Sequence, residues 1–374
     1  MIMIRTEKSG TLRGFKDLLN QMTDHEQVKG IMVLACDAND FTPATINPLL
    51  AQIKVPLFGG IFPEIICGMD KLDRGTIVAG LTSEIDVQII PHLSDSGADY
   101  DMLIDEKFPC TTQGRTMFVL VDGFAKRVGA LIESLFNIFG LDINYIGGGA
   151  GSLSFEQKPC LLTNAGMIAD SAVLVMTGLN SKIGVSHGWL RISGPFKVTE
   201  VDRNVIISLD WQPALSVYRQ AVEDFAQMRF TETNFFELSK CYPFGINRLD
   251  GEKIVRDPIA LGPNGTIICV GEVPADCYID ILTGDIESLV QAARHALELS
   301  RGATNGDTVQ HFTFFADCIS RRLFMGDQFS REIAAVYQNG VPLIGALTLG
   351  EIANSGRDYL EFYNKTAVVG SIEA

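Results

Sequence analysis

Apolar positions along this chain follow two rhythms. Leu12, Phe15, Leu18, Leu19 and Met22 recur at helical spacing and predict a helix over 11–22. Val128, Leu131, Ile132, Leu135, Phe136 and Phe139 do the same and run into Gly140, which can take a left-handed cap. Ile286, Leu289, Val290, Ala293, Leu297 and Leu299 predict another helix, with Asp285 placed to cap it. The stretch 328–338 reads as a further helix stopped by Asn339-Gly340, and Pro213 to Phe225 as one more. Short, β-branched runs bounded by Gly, Asp or Asn predict strands at 30–36, 76–81, 86–91, 117–122, 171–176, 204–209, 266–271, 277–282, 311–317 and 366–371. The closeness of 76–81 to 86–91, and of 266–271 to 277–282, predicts two hairpins. The expected class is α/β or α+β, with mixed, largely antiparallel sheets covered by helices, as two sheets rather than one wound sheet.

The pattern also repeats. Val55-Pro56-Leu57-Phe58-Gly59-Gly60 matches Val341-Pro342-Leu343-Ile344-Gly345-Ala346, each ahead of a Glu-Ile pair, Glu64-Ile65 and Glu351-Ile352. Upstream, GIMVLAC ending at Cys36 matches FTFFADC ending at Cys318; downstream, 75–81 matches 365–372. A looser third copy runs from MFVLVDG (117–123) through YIGGGAG (145–151) to 171–179. The unit reads strand, helix, glycine-bearing strand, strand, and the first and last copies suggest two related halves. The turn-rich stretch near 230–245 places the boundary between them.

Composition narrows the function classes. At 374 residues, 47% hydrophobic and 20% charged, the chain is a folded protein of two or three domains. A net charge of −15 opposes binding to nucleic acid or an anionic membrane surface. No apolar run reaches the ~18 residues of a membrane helix, and the start MIMIRTEKSG lacks a signal core, so the expected location is cytoplasmic. Eight scattered cysteines without a C-x-x-C pair, and five scattered histidines, point to reduced thiols and no metal site. No cofactor motif is present: Gly147-Gly148-Gly149-Ala150-Gly151 is neither a dinucleotide fingerprint nor a P-loop.

Several residues remain as site candidates. That glycine run either offers backbone N–H groups to a ligand or marks a strand pressed against another element. Cys318 lies where strand 311–317 ends, beside Arg321 and Arg322. The guanidinium groups could clamp a carboxylate or acidify the thiol, or they are surface arginines beside a buried Cys. Glu351 could receive an ammonium group or cap a helix, and a capping role is expected for Glu64. His187 and Trp189 flank Gly188, either as a stacking wall or as packing at a junction. A nucleophilic Cys318 would need a base, and His311 is misplaced for that by strand alternation.

A set of elements in order resembles one family. His187-Gly188-Trp189, Lys197-Val198-Thr199 and Asp210 with Pro213-Ala214 and Tyr218 are similar to the N-terminal half of FIST domain proteins. Tyr242-Pro243-Phe244-Gly245, Arg256, Gly271-Glu272, Cys318-Ile319-Ser320-Arg321, Gly350-Glu351-Ile352 and Asn364-Lys365-Thr366 resemble the C-terminal half. Ser320 departs from the family's usual Gly before Arg, and Trp211-Gln212 from a linker that often contains Gly. The resemblance covers about 28–372 and implies an N-terminal domain over 1–235 and a C-terminal domain over 236–374. It further implies a non-enzymatic sensory module for a small ligand, an amino acid or related zwitterion, that signals through a separate partner protein. On that expectation Arg321 or Arg322 holds the carboxylate and Glu351 the amine, with Asn364 nearby. Gly147, Gly148, Gly149 and Gly151 supply backbone donors, and His187 and Trp189 form a wall. The alternatives are an amide or thioester hydrolase using Cys318, and a homo-oligomeric scaffold.

Overall fold

The computed structural model describes residues 2–108, 115–229, 235–248, 252–301, 311–354 and 359–373. One path occurs three times along the chain. The first unit runs β1 (Met3–Glu7), α1 (Leu12–Thr23), β2 (Gly30–Cys36), α2 (Pro43–Leu50), β3 (Leu57–Phe62), β4 (Glu64–Cys67), β5 (Asp70–Leu72) and β6 (Thr76–Leu81). The second runs β7 (Ile85–Pro91), α3 (Tyr100–Lys107), β8 (Thr116–Asp122), α4 (Val128–Phe139), β9 (Asn144–Ala150), β10 (Leu161–Thr163), β11 (Gly166–Ile168) and β12 (Ser171–Thr177). The third opens with β13 (Ser181–Ser186) and resumes, after an insert, with α7 (Ile286–Arg301) and β21 (His311–Cys318). It continues through α8 (Ile319–Met325), α9 (Ser330–Val336), β22 (Leu343–Thr348), β23 (Glu351–Ala353), β24 (Glu361–Tyr363) and β25 (Ala367–Glu373).

The insert consists of β14 (Leu190–Asp202), β15 (Val205–Leu209), β16 (Gln212–Pro213), α5 (Ala214–Ala226), α6 (Phe235–Ser239), β17 (Phe244–Ile246), β18 (Ile254–Leu261), β19 (Ile267–Val270) and β20 (Tyr278–Thr283). Its strands run in the order β14-β20-β17-β18-β19-β15-β16, and an added β14–β15 pairing closes the sheet on itself. α5 buries Ala214, Tyr218 and Val222, and the Tyr218 ring meets Phe235 and Phe244.

The helices form where the apolar period predicts. α1 buries Phe15, Leu18, Leu19 and Met22, and its Thr11 hydroxyl accepts from Gly14 N–H at 3.1 Å. Each of those side chains contributes about 1.5–3 kcal/mol relative to exposure. Asp285 caps α7 by accepting from Ser288 N–H at 2.7 Å.

In every unit the central strand is parallel to one neighbour and antiparallel to the other. β2 lies between β3 and β6, β8 between β9 and β12, and β21 between β22 and β25. The glycines at the middle of β3, β9 and β22 have one cause. A Cβ on Gly59, Gly147 or Gly345 would sit 2.0, 1.9 or 2.1 Å from the carbonyl oxygen of Val33, Val119 or Phe315.

The units then exchange strands in a cycle. β4 leaves the first unit and pairs with β22 of the third; β10 leaves the second and pairs with β3 of the first; β23 leaves the third and pairs with β9 of the second. β1, β7 and β13 instead stay within their own units, pairing with β6, β12 and β25. Mixed, mostly antiparallel sheets with helices are as expected, but the described residues form four sheets rather than two. Neither expected hairpin exists. β6 has both edges filled by β1 and β2, which leaves none for β7. β19 lies between β15 and β18, while β20 lies between β14 and β17. Among the described residues no helix is long and apolar enough to cross a membrane.

Candidate functional site

The insert packs over the end of β21 and leaves a cleft of about 470 Å³ between itself and the second and third units. Cys318, at the last position of β21, and Ser320, in the first turn of α8, form part of its floor. The strand of the insert facing them, β18, supplies Arg256 and Asp257. Asn364, just past β24, closes the polar end. The opposite wall is apolar, with Phe124, Leu153, Phe155, Phe236 and Leu323.

Polar groups around this floor are fixed from behind. Asp257 accepts from Ser320 Oγ at 2.7 Å and pairs with Lys365 Nζ at 3.2 Å through the same oxygen, Oδ2. Lys365 is fully buried, donates to the Lys240 carbonyl at 2.9 Å, and stands 5.1 Å from the centre of the Trp189 ring. Asp257 Oδ1 and Asn364 Oδ1 are buried with no hydrogen-bond partner among the described residues. Leaving two acceptors unpaired costs ~1–3 kcal/mol each unless something donates to them. Arg256 is held by Nε on the Glu272 carbonyl at 2.7 Å and by Nη1 on the Phe362 and Val255 carbonyls at 2.9 and 3.1 Å. Burial lowers its pKa to about 10, and it remains a cation at neutral pH.

Of the candidate residues read from sequence, the structure brings Cys318 and Asn364 to the cleft. Arg321 does not reach it. The side chain is fully buried, pairs with Asp317 at 3.1 Å and with Glu332, and donates to the carbonyls of His187, Leu289 and Lys365. Its donors are spent on holding three chain segments together. Arg322 points elsewhere and pairs with Glu64 at 3.2 Å. Glu64 therefore caps no helix: it begins β4 and also binds Lys71 at 3.0 Å.

Glu351 is fully buried under the floor, not in the cleft, and accepts from Thr348 Oγ1 at 2.7 Å and Thr366 N–H at 3.3 Å. Burial pushes its pKa up to about 8. The thiol of Cys318 is pushed well above its usual range, by burial first and then by Glu351. It is protonated at neutral pH, the reverse of what a reactive cysteine needs. His187 and Trp189 are buried behind the floor. His187 Nδ1 accepts from Trp189 N–H at 2.8 Å, and Trp189 Nε1 donates to the Lys365 carbonyl at 3.0 Å. Burial, then Arg321 and Lys253, lowers the His187 pKa to about 4, which leaves the ring neutral. The glycine run is buried, from Gly147 to Ala150 in β9 with Gly151 just past it, and does not line the cleft. Cβ atoms on Gly148 and Gly149 would meet the carbonyls of Gly350 and Leu349 at 2.6 and 2.3 Å, and one on Gly151 the Leu349 side chain at 2.6 Å. Close backbone approach explains these glycines. Among the described residues no cluster of His, Cys, Asp and Glu could hold a metal.

The residues that sequence reasoning missed as site groups are Arg256, Asp257 and Lys365. A signal existed for the first two: they interrupt Ile254–Leu261, an otherwise apolar strand. For Lys365 the backbone gives the hint, since its φ is +52°, a strained value for a residue with a side chain.

Fold and cleft together define a mixed α/β protein with three interlocked sheets and an inserted closed one, enclosing a polar-floored, apolar-walled cleft. The chain belongs to the FIST family: the FIST N domain matches residues 31–212 and the FIST C domain residues 214–354. FIST domains are recognised as sensory domains. A search of the curated proteins finds no match. Among solved structures, a crystal structure of a chorismatase aligns over 100% of this chain and 98% of that one, with 11% identity and a TM-score of 0.37. So loose a likeness carries no argument about this chain.

Proposed function

We propose that this chain is a cytoplasmic sensory module that takes a small zwitterion, an amino acid or a relative, into the cleft and signals through a separate partner protein. The observation that carries this reading is the pairing of opposite demands in one cavity. Asp257 Oδ1 and Asn364 Oδ1 are buried acceptors without donors, and Arg256 is a cation whose Nε and Nη1 alone are tied to backbone. An ammonium group satisfies the first two, and a carboxylate satisfies the guanidinium. Apolar walls then receive the side chain. This replaces Arg321 and Glu351 as the carboxylate and amine partners with Arg256 and with Asp257 and Asn364. The three repeated strand paths further support descent from a duplicated unit.

Calorimetry with the proteinogenic amino acids tests the reading. Asn364→Leu removes an unpartnered acceptor, so binding weakens about tenfold, equivalent to ~1.4 kcal/mol, while the fold keeps its stability. Arg256→Met weakens binding more. Binding that ignores both substitutions refutes the assignment. The hydrolase alternative has one observation in its favour, that Cys318 lines the cleft, and one against it, the upward shift of its thiol.

A further inference from the structure

The cleft does not end at Arg256. A wider groove of about 950 Å³ begins there, and Gly129, Arg203, Arg256, Glu272 and Phe362 line both. The cleft alone is already of a size for drug-like ligands, well beyond a free amino acid, and the groove is about twice as large. Its character differs from that of the cleft. Phe136 and Tyr359 pair at 4.8 Å on one wall, with Tyr359 62% exposed. Arg248 is tied to Glu361, and Glu133 and Glu272 offset Arg203 and Arg256, so the charges balance. Such a groove suits neither a polyanion nor a polycation.

One edge of the groove is built from backbone. Leu360, Glu361 and Phe362 line it, and among the described residues β24 is the end strand of its sheet, paired only with β23. The Phe362 carbonyl accepts from Arg256 Nη1, which brings the guanidinium up against this strand. An end strand beside a neutral groove is the setting in which extended peptides bind.

We propose that cleft and groove together form one trough for the amino end of an extended peptide. This rests on the reading above, that Asp257 and Asn364 receive an ammonium group. The free α-amine of the first residue sits on Asp257 Oδ1 and Asn364 Oδ1. Its side chain lies against Phe124 and Phe155, which pair at 6.2 Å on the apolar wall. Its carbonyl accepts from Arg256 at the junction, where a free amino acid would present its carboxylate. The following residues run along β24 past Phe136 and Tyr359.

Three probes decide it: a tetrapeptide-amide library with free amino ends, the same library N-acetylated, and the free amino acids, each measured by affinity selection and confirmed by calorimetry. The expected result is peptide binding at least tenfold tighter than that of any free amino acid and lost on acetylation. Tyr359→Ala should weaken peptides severalfold and leave free amino acids unchanged. Equal binding of acetylated peptides, or binding of free amino acids alone, overturns the trough; in the second case the zwitterion reading stands. No binding by any probe overturns both. Circular dichroism of Tyr359→Ala guards against a folding defect, and Phe136→Ala provides a second variant on the same wall.

Discussion

Replacing Arg321 by Met separates a structural arginine from a ligand anchor. The side chain is fully buried between Asp317 and Glu332 and binds the carbonyls of His187, Leu289 and Lys365 at 2.6, 3.0 and 3.2 Å. Three lost hydrogen bonds cost about 0.5–1.5 kcal/mol each in net terms. Removing one partner of a buried ion pair costs about 3–5 kcal/mol on its own. Part of that is recovered, because burial already raises the pKa of both carboxyls and either can take a proton once the guanidinium is gone. The expected net loss is ~3–5 kcal/mol, read from urea unfolding followed by circular dichroism and by fluorescence of Trp189. Adding Glu332→Gln to Arg321→Met should restore more than ~1 kcal/mol, since it removes a carboxylate left without its cation. The reasoning fails if Arg321→Met costs under ~1 kcal/mol, or if it abolishes ligand binding in a protein of unchanged stability.

Other outcomes follow from the same groups. Glu351 has a folded pKa of about 8 against 4.5 for an exposed carboxyl, so the folded state holds the extra proton between those values. Stability therefore falls as pH rises through that window, by about 1.4 kcal/mol per unit, and is level above it. Glu351→Gln should remove that component of the slope in denaturation curves taken from pH 5 to 9; an unchanged slope refutes it. His187 acts in the opposite sense, since its pKa is lowered to about 4 from 6.5, so its contribution fades as pH falls through that range and is restored above it. Cys318 should react with iodoacetamide after the half-buried Cys67 and Cys277, because burial both shields it and raises its pKa. Fast labelling with an acidic midpoint would instead favour the nucleophile. Gly147→Ala places a Cβ 1.9 Å from the Val119 carbonyl, a backbone atom that cannot swing aside. A loss of ~1–3 kcal/mol or more is expected, and a neutral result would mean that β8 and β9 are less tightly joined.

What the sequence revealed follows the range of each signal. Helical period and capping are local, so α1, α4 and α7 are legible almost to the residue, as are most strand spans. Pairing is not local. β6 and β7 sit a short turn apart yet serve different sheets, since a run such as Thr76–Leu81, buried on both faces, carries no mark of its partner. The repeat around Gly59 and Gly345 was visible because a shared backbone clearance forces the same residue. That same clearance made Gly147, Gly148 and Gly149 look like a ligand loop. The cleft was half legible: Cys318 and Asn364 could be found from strand ends and spacing. Arg321 and Arg256 are both arginines near an apolar run, and only their partners tell the tied structural guanidinium from the one facing a cavity.

The cyclic exchange of strands also dictates a schedule. β4 is made early but has its partner, β22, only after about 280 further residues have been added. β5 covers one edge at once, but until then the other edge and the Ile66 side chain lack their third-unit neighbours, and the second edge of β3 likewise waits for β10. Pairings so far apart in sequence fold slowly and leave sticky intermediates. During synthesis this chain should therefore lean heavily on chaperones, and a ribosome stalled before residue 343 would carry a product still sensitive to protease across its first 81 residues.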